Sequence, residues 1–473
     1  MEIIFKSEFD TIYELWDTYK RPKLIRICPH RWMEFSNKRA SKNANAYREI
    51  NEKLEKSLPQ DVYNKIRSSI NALYQFSTEL FPAFRCLVPV FLSDEWLALL
   101  NLRDDFYREH IVHQTQTAVV VQKLLEKLSF PADHDFVKAL CTAQELRELG
   151  LDDKITLLDI CALIMIYEKK KPAFIRNYAT IIGLHNFFAK ENFHLIKELI
   201  HVSAITAACY HDIGYAFRFA KSIMDPLANY SGFGATKCFQ AEQLMADMPH
   251  ALFMHWFTGI YDLDNSSAAS LERDRIKETI QIACDSTHGL HSAYSFIYLN
   301  NYLNDKTVPK NPWAELALQW AGSAILMHDL MKVRNKICRQ SWYPPDREYL
   351  SVSLCTDPVS FTVALADVLQ CYDRYNAFVD AGLKHESFPL CFETPIQGLI
   401  LRYDDESRNT AILSLHYIFY EKNSGRVRNT RMMHNMKFYQ ETIRDYFALD
   451  AYLDACGLFT IGKIEEEVPR NGN

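Results

Sequence analysis

Glycine is scarce: 14 residues in 473, well under the usual share of about 7%. Glycine serves tight turns and phosphate-cradling loops, so the shortage argues against a loop-rich all-β fold and against a Rossmann-type fold. No basic excess exists either. The 53 basic and 59 acidic residues leave a net charge of -6, which gives no overall basic excess for nucleic acid while leaving a local basic groove open. The 12 cysteines lie far apart and no CxxC occurs, so zinc-knuckle and thioredoxin-type sites are excluded. Scattered single cysteines suit a reducing compartment, where they act as small buried hydrophobes. Long apolar runs are missing as well. The most apolar stretch, Ile155 to Tyr167, is interrupted by Asp159 and is too short to span a bilayer. The first ten residues lack the apolar core of a signal peptide. A cytoplasmic protein without a membrane partner is expected.

What is present reads as helix after helix. Apolar residues make up 48% and charged residues 24%, the balance of a globular chain. Residues 1–95 are expected to form a helical N-terminal region. From 96 to 385 apolar stripes recur at helical spacing, as in Gln114 to Leu128, Leu199 to Phe219, Leu316 to Lys332 and Val359 to Tyr375. Residues 386–473 differ. Gly398 to Tyr403 and Ala411 to Tyr420 are rich in β-branched and aromatic residues and flank a polar Asp404 to Asn409, which predicts a β-hairpin. A final helix over about Met432 to Ala455 and a frayed charged tail from Lys463 are expected to follow. The fold class is therefore mainly α, with a C-terminal hairpin plus helix.

The chain also holds 16 histidines, and their placement is informative. His211-Asp212 ends an apolar helix and is followed by Ile213-Gly214. A buried carboxylate is costly unless it is paired or binds a cation. Alone, the doublet is explained equally well by a capped helix end. Four more candidates lie at helical positions. His110 and His113 share one face of a helix start. His288 and His291 begin another helix. A second doublet, His328-Asp329, closes an apolar helix, and Asp367 is a lone carboxylate on one. Five such placements in order are hard to dismiss.

The order His … His-Asp … His … His … Asp resembles the HD superfamily of metal-dependent phosphohydrolases. The resemblance spans about residues 100–375 and extends to local wording: Ala207-Ala-Cys-Tyr-His-Asp-Ile-Gly-Tyr215, His288-Gly-Leu-His-Ser-Ala293 and Leu365-Ala-Asp-Val-Leu-Gln370. It implies an HD-type helical bundle over 96–385. Position by position, His113, His211, Asp212, His288, His328 and Asp367 match metal ligands, with Asp212 bridging two ions and taking part in catalysis. His113 fits the first position better than His110, because a Thr-Ala-Val run follows it. His110 is implied as a neighbouring catalytic or phosphate-touching group. The cofactors implied are two divalent transition-metal ions, Mn, Fe, Ni or Co, with Mg admitted; imidazole and carboxylate donors suit that range. Such ions lower the pKa of a shared water to give a hydroxide that attacks phosphorus. Lys332, Arg334 and Arg374 are candidate phosphate contacts. The plainer reading of the basic run that holds the first two is a solvated helix face.

Two departures refine the expectation. Tyr215 stands where the HD-GYP class of cyclic dinucleotide phosphodiesterases carries lysine, and no Gly-Tyr-Pro motif occurs. Cyclic di-GMP is therefore a poor substrate candidate. The separation of His113 from His211 is long, so residues about 130–195 are expected as an insertion able to cover the site. Its histidines, His134, His185 and His194, are expected to be structural or solvated. Ser231 to Gly234 lacks the later glycine of a phosphate loop and reads as a turn. The expected activity is hydrolysis of a phosphate ester or phosphodiester, with a nucleotide or other small phosphate ester as partner. A mixed-valent di-iron oxygenase and a non-catalytic nucleotide-sensing module are the alternatives. The C-terminal hairpin and helix are compatible with packing on the core or with self-association.

Overall fold

The computed structural model describes residues 2–6, 48–58, 60–80, 91–93, 110–168, 174–216, 287–303, 312–330, 352–370, 396–404, 411–419 and 453–466, with isolated positions 45, 95–96, 278 and 281–283. Among them the protein is mostly helical, with one small sheet beside the helices.

In chain order the elements begin with strand β1 (Glu2–Lys6) and helices α1 (Gln60–Leu80) and α2 (His110–Lys127). Strand β2 (Ser129–Pro131), helices α3 (Asp135–Leu140) and α4 (Ala143–Glu148), strand β3 (Lys154–Thr156) and helix α5 (Leu157–Tyr167) follow. Next come α6 (Phe174–Ile181), α7 (Phe193–Tyr210), α8 (Gly289–Leu303) and α9 (Pro312–Leu330). Strand β4 (Val352–Ser353) precedes α10 (Pro358–Leu369). The chain continues with β5 (Ile396–Asp404), β6 (Ala411–Phe419), β7 (Leu453–Asp454) and β8 (Phe459–Glu466).

Helix α7 lies at the centre, packed on α2, α5, α9 and α10. Its sequence explains this place. Ile200, Val202, Ala204, Ile205, Ala207 and Ala208 are all buried, and a helix apolar on every side belongs inside a core. Alanines also let neighbouring helices approach. Helix α2 is buried almost throughout, polar residues included. Its first turn is closed by Glu95, whose Oε1 accepts from the Ile111 backbone N at 2.6 Å; an acid there also complements the helix dipole. Helix α10 starts on Asp357, which accepts from Ser360 N at 3.1 Å, with Pro358 in the first turn.

The stretch expected as an insertion contributes directly to this core. Helix α5 is buried over Leu157 to Ile166 and packs on α7 and α2. Asp159, the charge that interrupts its apolar run, is half of a capping box with Thr156 and pairs with Lys197 of α7 at 2.5 Å. His134 caps α3 by accepting from Phe136 N, while His185 and His194 are exposed.

The sheet has the order β1-β5-β6-β8. The hairpin β5-β6 is antiparallel as the sequence predicts, with Leu401 opposite Leu415. Three expectations at the chain ends are corrected. The N-terminal region is not helical throughout, because Glu2–Lys6 pairs antiparallel with β5, Ile3 against Leu401 and Phe5 against Leu399. The last residues of the predicted final helix, Leu453–Asp454, instead form β7, parallel to β4; most of that helix lies outside the described residues. Lys463 to Glu466 is not frayed but belongs to β8, parallel to β6. The predicted helix from Leu199 to Phe219 also ends early: α7 stops at Tyr210 and a turn holds 211–214. Alternation in β1 buries Ile3 and Phe5 and leaves Ile4 exposed. The buried face joins the helices through Phe459, stacked on Phe130 of β2 at 6.3 Å and edge-on to Phe361 of α10 at 6.0 Å. Among the described residues no helix is long and apolar enough to cross a membrane. Cys141, Cys161, Cys209 and Cys355 are buried; burial pushes the Cys141 thiol up to about 11, so it behaves as a small hydrophobe.

Candidate metal centre

Five helix ends or turns bring the predicted ligands together. Helix α2 supplies His113 and α10 supplies Asp367. The turn after α7 supplies His211 and Asp212. His288 stands just before α8, and His328 lies in the last turn of α9. All four imidazoles and Asp212 are buried.

The Nε2 atoms converge. His113 and His211 approach to 3.2 Å, and so do His288 and His328. Asp212 faces both pairs: its Oδ1 is 2.7 Å from His288 Nε2, 3.3 Å from His211 Nε2 and 3.8 Å from His328 Nε2. Its Oδ2 is 3.6 Å from His113 Nε2. Asp367 Oδ1 serves only the first pair, at 2.9 Å from His113 and 3.4 Å from His211.

The other nitrogen of each ring fixes its tautomer. Nδ1 of His211 faces Ala208 O at 2.8 Å, and Nδ1 of His328 faces Ile325 O at 2.5 Å. Nδ1 of His288 faces Asp329 Oδ2 at 2.9 Å. Nδ1 of His113 faces Gln370 Oε1, and the Gln370 amide is itself oriented by donating to Gln116 Oε1 at 2.5 Å. Carbonyl and carboxylate oxygens only accept, so each Nδ1 carries a proton and each Nε2 turns a lone pair inward. This is the arrangement in which histidines hold a metal. Two facing lone pairs 3.2 Å apart repel unless a proton or a metal ion lies between them. Asp212 Oδ2 adds a second sign: it is buried without a hydrogen-bond partner, a costly state for a carboxylate that ligates nothing. The residues therefore fit a metal ion. Within the cluster, His113, His211 and Asp367, and likewise His211, Asp212 and His328, are each grouped tightly enough to share one.

Electrostatics agree. Burial pushes the Asp212 carboxyl up, but His211, His288 and His328 outweigh it and hold it well below the usual range. Asp367 is likewise held well down, against burial, by His113 and His211. Burial lowers His211 and His288, yet Asp212 and Asp367 raise the first, and Asp329, Tyr215 and Asp212 raise the second far above an ordinary imidazole. His328 is lowered, chiefly by burial. The carboxylates thus attract positive charge, and a proton and a divalent ion compete for the same lone pairs.

Two glycines make this closure possible. A Cβ on Gly214 would lie 2.5 Å from His288 O and collide with Ser292 N; instead Gly214 N donates to Ser292 Oγ at 2.8 Å. A Cβ on Gly289 would lie 2.8 Å from Asp329 Cβ. The glycines of His-Asp-Ile-Gly and His-Gly are therefore needed for close approach, not for turn geometry.

His110 is not among the converging ligands. It is buried one turn before His113, its ring 4.4 Å from that of Tyr215, which stacks on His288 at 4.0 Å. His291 is buried within α8, also apart from the grouped ligands. Lys332, Arg334 and Arg374 lie outside the described residues, as does Ser231 to Gly234. The sequence reading gave no role to Asp329 or Gln370. Both were visible in it, Asp329 as the second half of His328-Asp329 and Gln370 as the last residue of Leu365-Ala-Asp-Val-Leu-Gln.

No protein-family model matches the chain, and neither a curated protein nor a solved structure matches it.

Proposed function

We propose that the protein is an HD-type metal-dependent phosphohydrolase acting on a phosphate ester or phosphodiester of a nucleotide. The observation that carries this reading is the convergence of four tethered imidazoles on Asp212, in a chain whose ligand order and local wording resemble that superfamily. His113, His211, Asp367 and Asp212 would hold one ion, and His288, His328 and Asp212 a second, with Asp212 shared. Bound there, divalent ions supply Lewis acidity towards phosphate oxygens and an acidified water. A donor set of imidazole and carboxylate without thiolate suits Mn, Fe, Ni or Co, and admits Mg.

The chain's own residues prepare this chemistry. Asp212 and Asp367 are held ionised, and the four Nδ1 tethers turn every Nε2 towards the site. Burial removes water from around the donors and strengthens each electrostatic contact. His110, one ring removed from His288 across Tyr215, would orient a substrate proton or phosphate oxygen. The test is release of phosphate or nucleoside monophosphate from a nucleotide panel with added Mn. Turnover that His211→Ala abolishes is expected. No turnover with any metal, together with unchanged metal content in His211→Ala, would overturn the reading.

A further inference from the structure

The four ligand imidazoles are not tethered alike. His211 and His328 lean on a backbone carbonyl three residues back. His113 leans on the neutral amide of Gln370. His288 leans on a carboxylate: Asp329 Oδ2, 2.9 Å from its Nδ1. The same oxygen accepts from the backbone N of His288 at 2.7 Å and of Gly289 at 3.1 Å. Asp329 is 1% exposed. One buried oxygen therefore fastens both the ring and the helix start that carries it.

Resting on the metal-site reading above, we infer that Asp329 is a positioning residue that sets the affinity of the ion subsite formed by His288 and His328, without itself touching an ion. A carboxylate on Nδ1–H pushes electron density towards Nε2 and makes it a stronger donor than an amide or carbonyl does. It also fixes the ring plane, since Asp329 is anchored by two backbone amides. Asp329 does belong to a possible ligand group with His288 and His328. Its Oδ2, however, already receives three donors and sits on the Nδ1 side of the ring, away from the converging Nε2 atoms. Gln370 is the counterpart for His113, so the two subsites have separate supports.

The test is titration of the full chain with Co(II), read by bound metal per chain and by visible absorption. The unaltered protein is expected to bind two ions. Asp329→Asn keeps an acceptor for the α8 amides but loses the charge. It is expected to bind one ion as before and the second about 10–100-fold more weakly. Asp329→Glu should restore most of that loss, and Gln370→Ala should weaken the other ion instead. Equal weakening of both ions by Asp329→Asn, or none, overturns the inference and leaves the metal-site reading standing. So does a second ion that no Co(II) concentration restores, since Asp329 would then be a direct ligand. If Asp329→Asn does not fold, the unaltered protein still decides. In a 15N-histidine spectrum of the Zn-loaded form, His288 Nδ1 should keep its proton, and a metal-bound Nδ1 overturns the inference. Absence of any bound ion in the unaltered protein overturns the metal-site reading and this inference with it.

Discussion

Single atoms decide much of this centre. Gly214 is the clearest case, because its missing side chain is what lets the His-Asp turn reach the start of α8. Gly214→Ala is expected to cost about 1–3 kcal/mol, the usual range for overpacking, and to weaken metal binding by moving Asp212 relative to His288. Thermal melting and metal titration check the two parts separately; an unchanged melting temperature would contradict the contact. Asp212→Asn should be more severe for binding than Asp367→Asn, since Asp212 faces both histidine pairs and Asp367 only one. Bound metal per chain would rank them. At this scale the sequence pointed to the His and Asp side chains that converge and was silent about their tethers. Ligands recur as His and Asp in a fixed order. A tether is any acceptor that lands near an Nδ1, and two of the four are backbone carbonyls, which have no letter of their own.

Among elements, the helices were legible because their apolar stripes are long and their starts are marked. Asp357-Pro358 and the capping box of Thr156 and Asp159 are local signals. Asp357 does more than cap α10: its Oδ1 also accepts from Trp320 Nε1 of α9 at 2.8 Å. Asp357→Ala is therefore expected to exceed the usual cap loss of about 1 kcal/mol, because it leaves a buried indole N–H unpaired. A shift in melting midpoint no larger than that of a solvent-exposed cap such as Thr142→Ala would contradict this. The missed strands have a common physical reason. β1 and β7 are five and two residues long, too short for periodicity to speak, and each owes its conformation to a partner distant in sequence. Propensity is a weak prior where tertiary pairing decides.

Across the whole molecule, the candidate ligands come from α2, α9, α10, the start of α8 and the turn after α7. A metal bound only by the folded chain must stabilise it, by about 2.7 kcal/mol at a free concentration one hundred times the dissociation constant. The melting temperature should rise with added Mn or Co and fall with chelator. The sign of the pH effect follows from the raised His211 and His288. Each must give up its extra proton to bind, so ion affinity falls as pH is lowered, and the fall begins above the range of an ordinary imidazole. Metal-dependent stabilisation that is flat between pH 8 and 6 would contradict this. The overall class, mainly helical with a C-terminal hairpin, was legible in the sequence. The union of both chain ends in one sheet was not, since nothing in Glu2–Lys6 names its partner.

That union has a consequence for how the protein is made. Glu2 meets Arg402 at 2.8 Å across 400 residues of chain. At about 5–20 residues per second, roughly 20–80 s separate the two on the ribosome. Throughout that interval Ile3 and Phe5 have emerged with no strand beside them. Asp367 is likewise made 254 residues after His113. The nascent chain thus carries exposed apolar residues until Ile396–Asp404 has been made, and an incomplete candidate ion cage until Asp367 has.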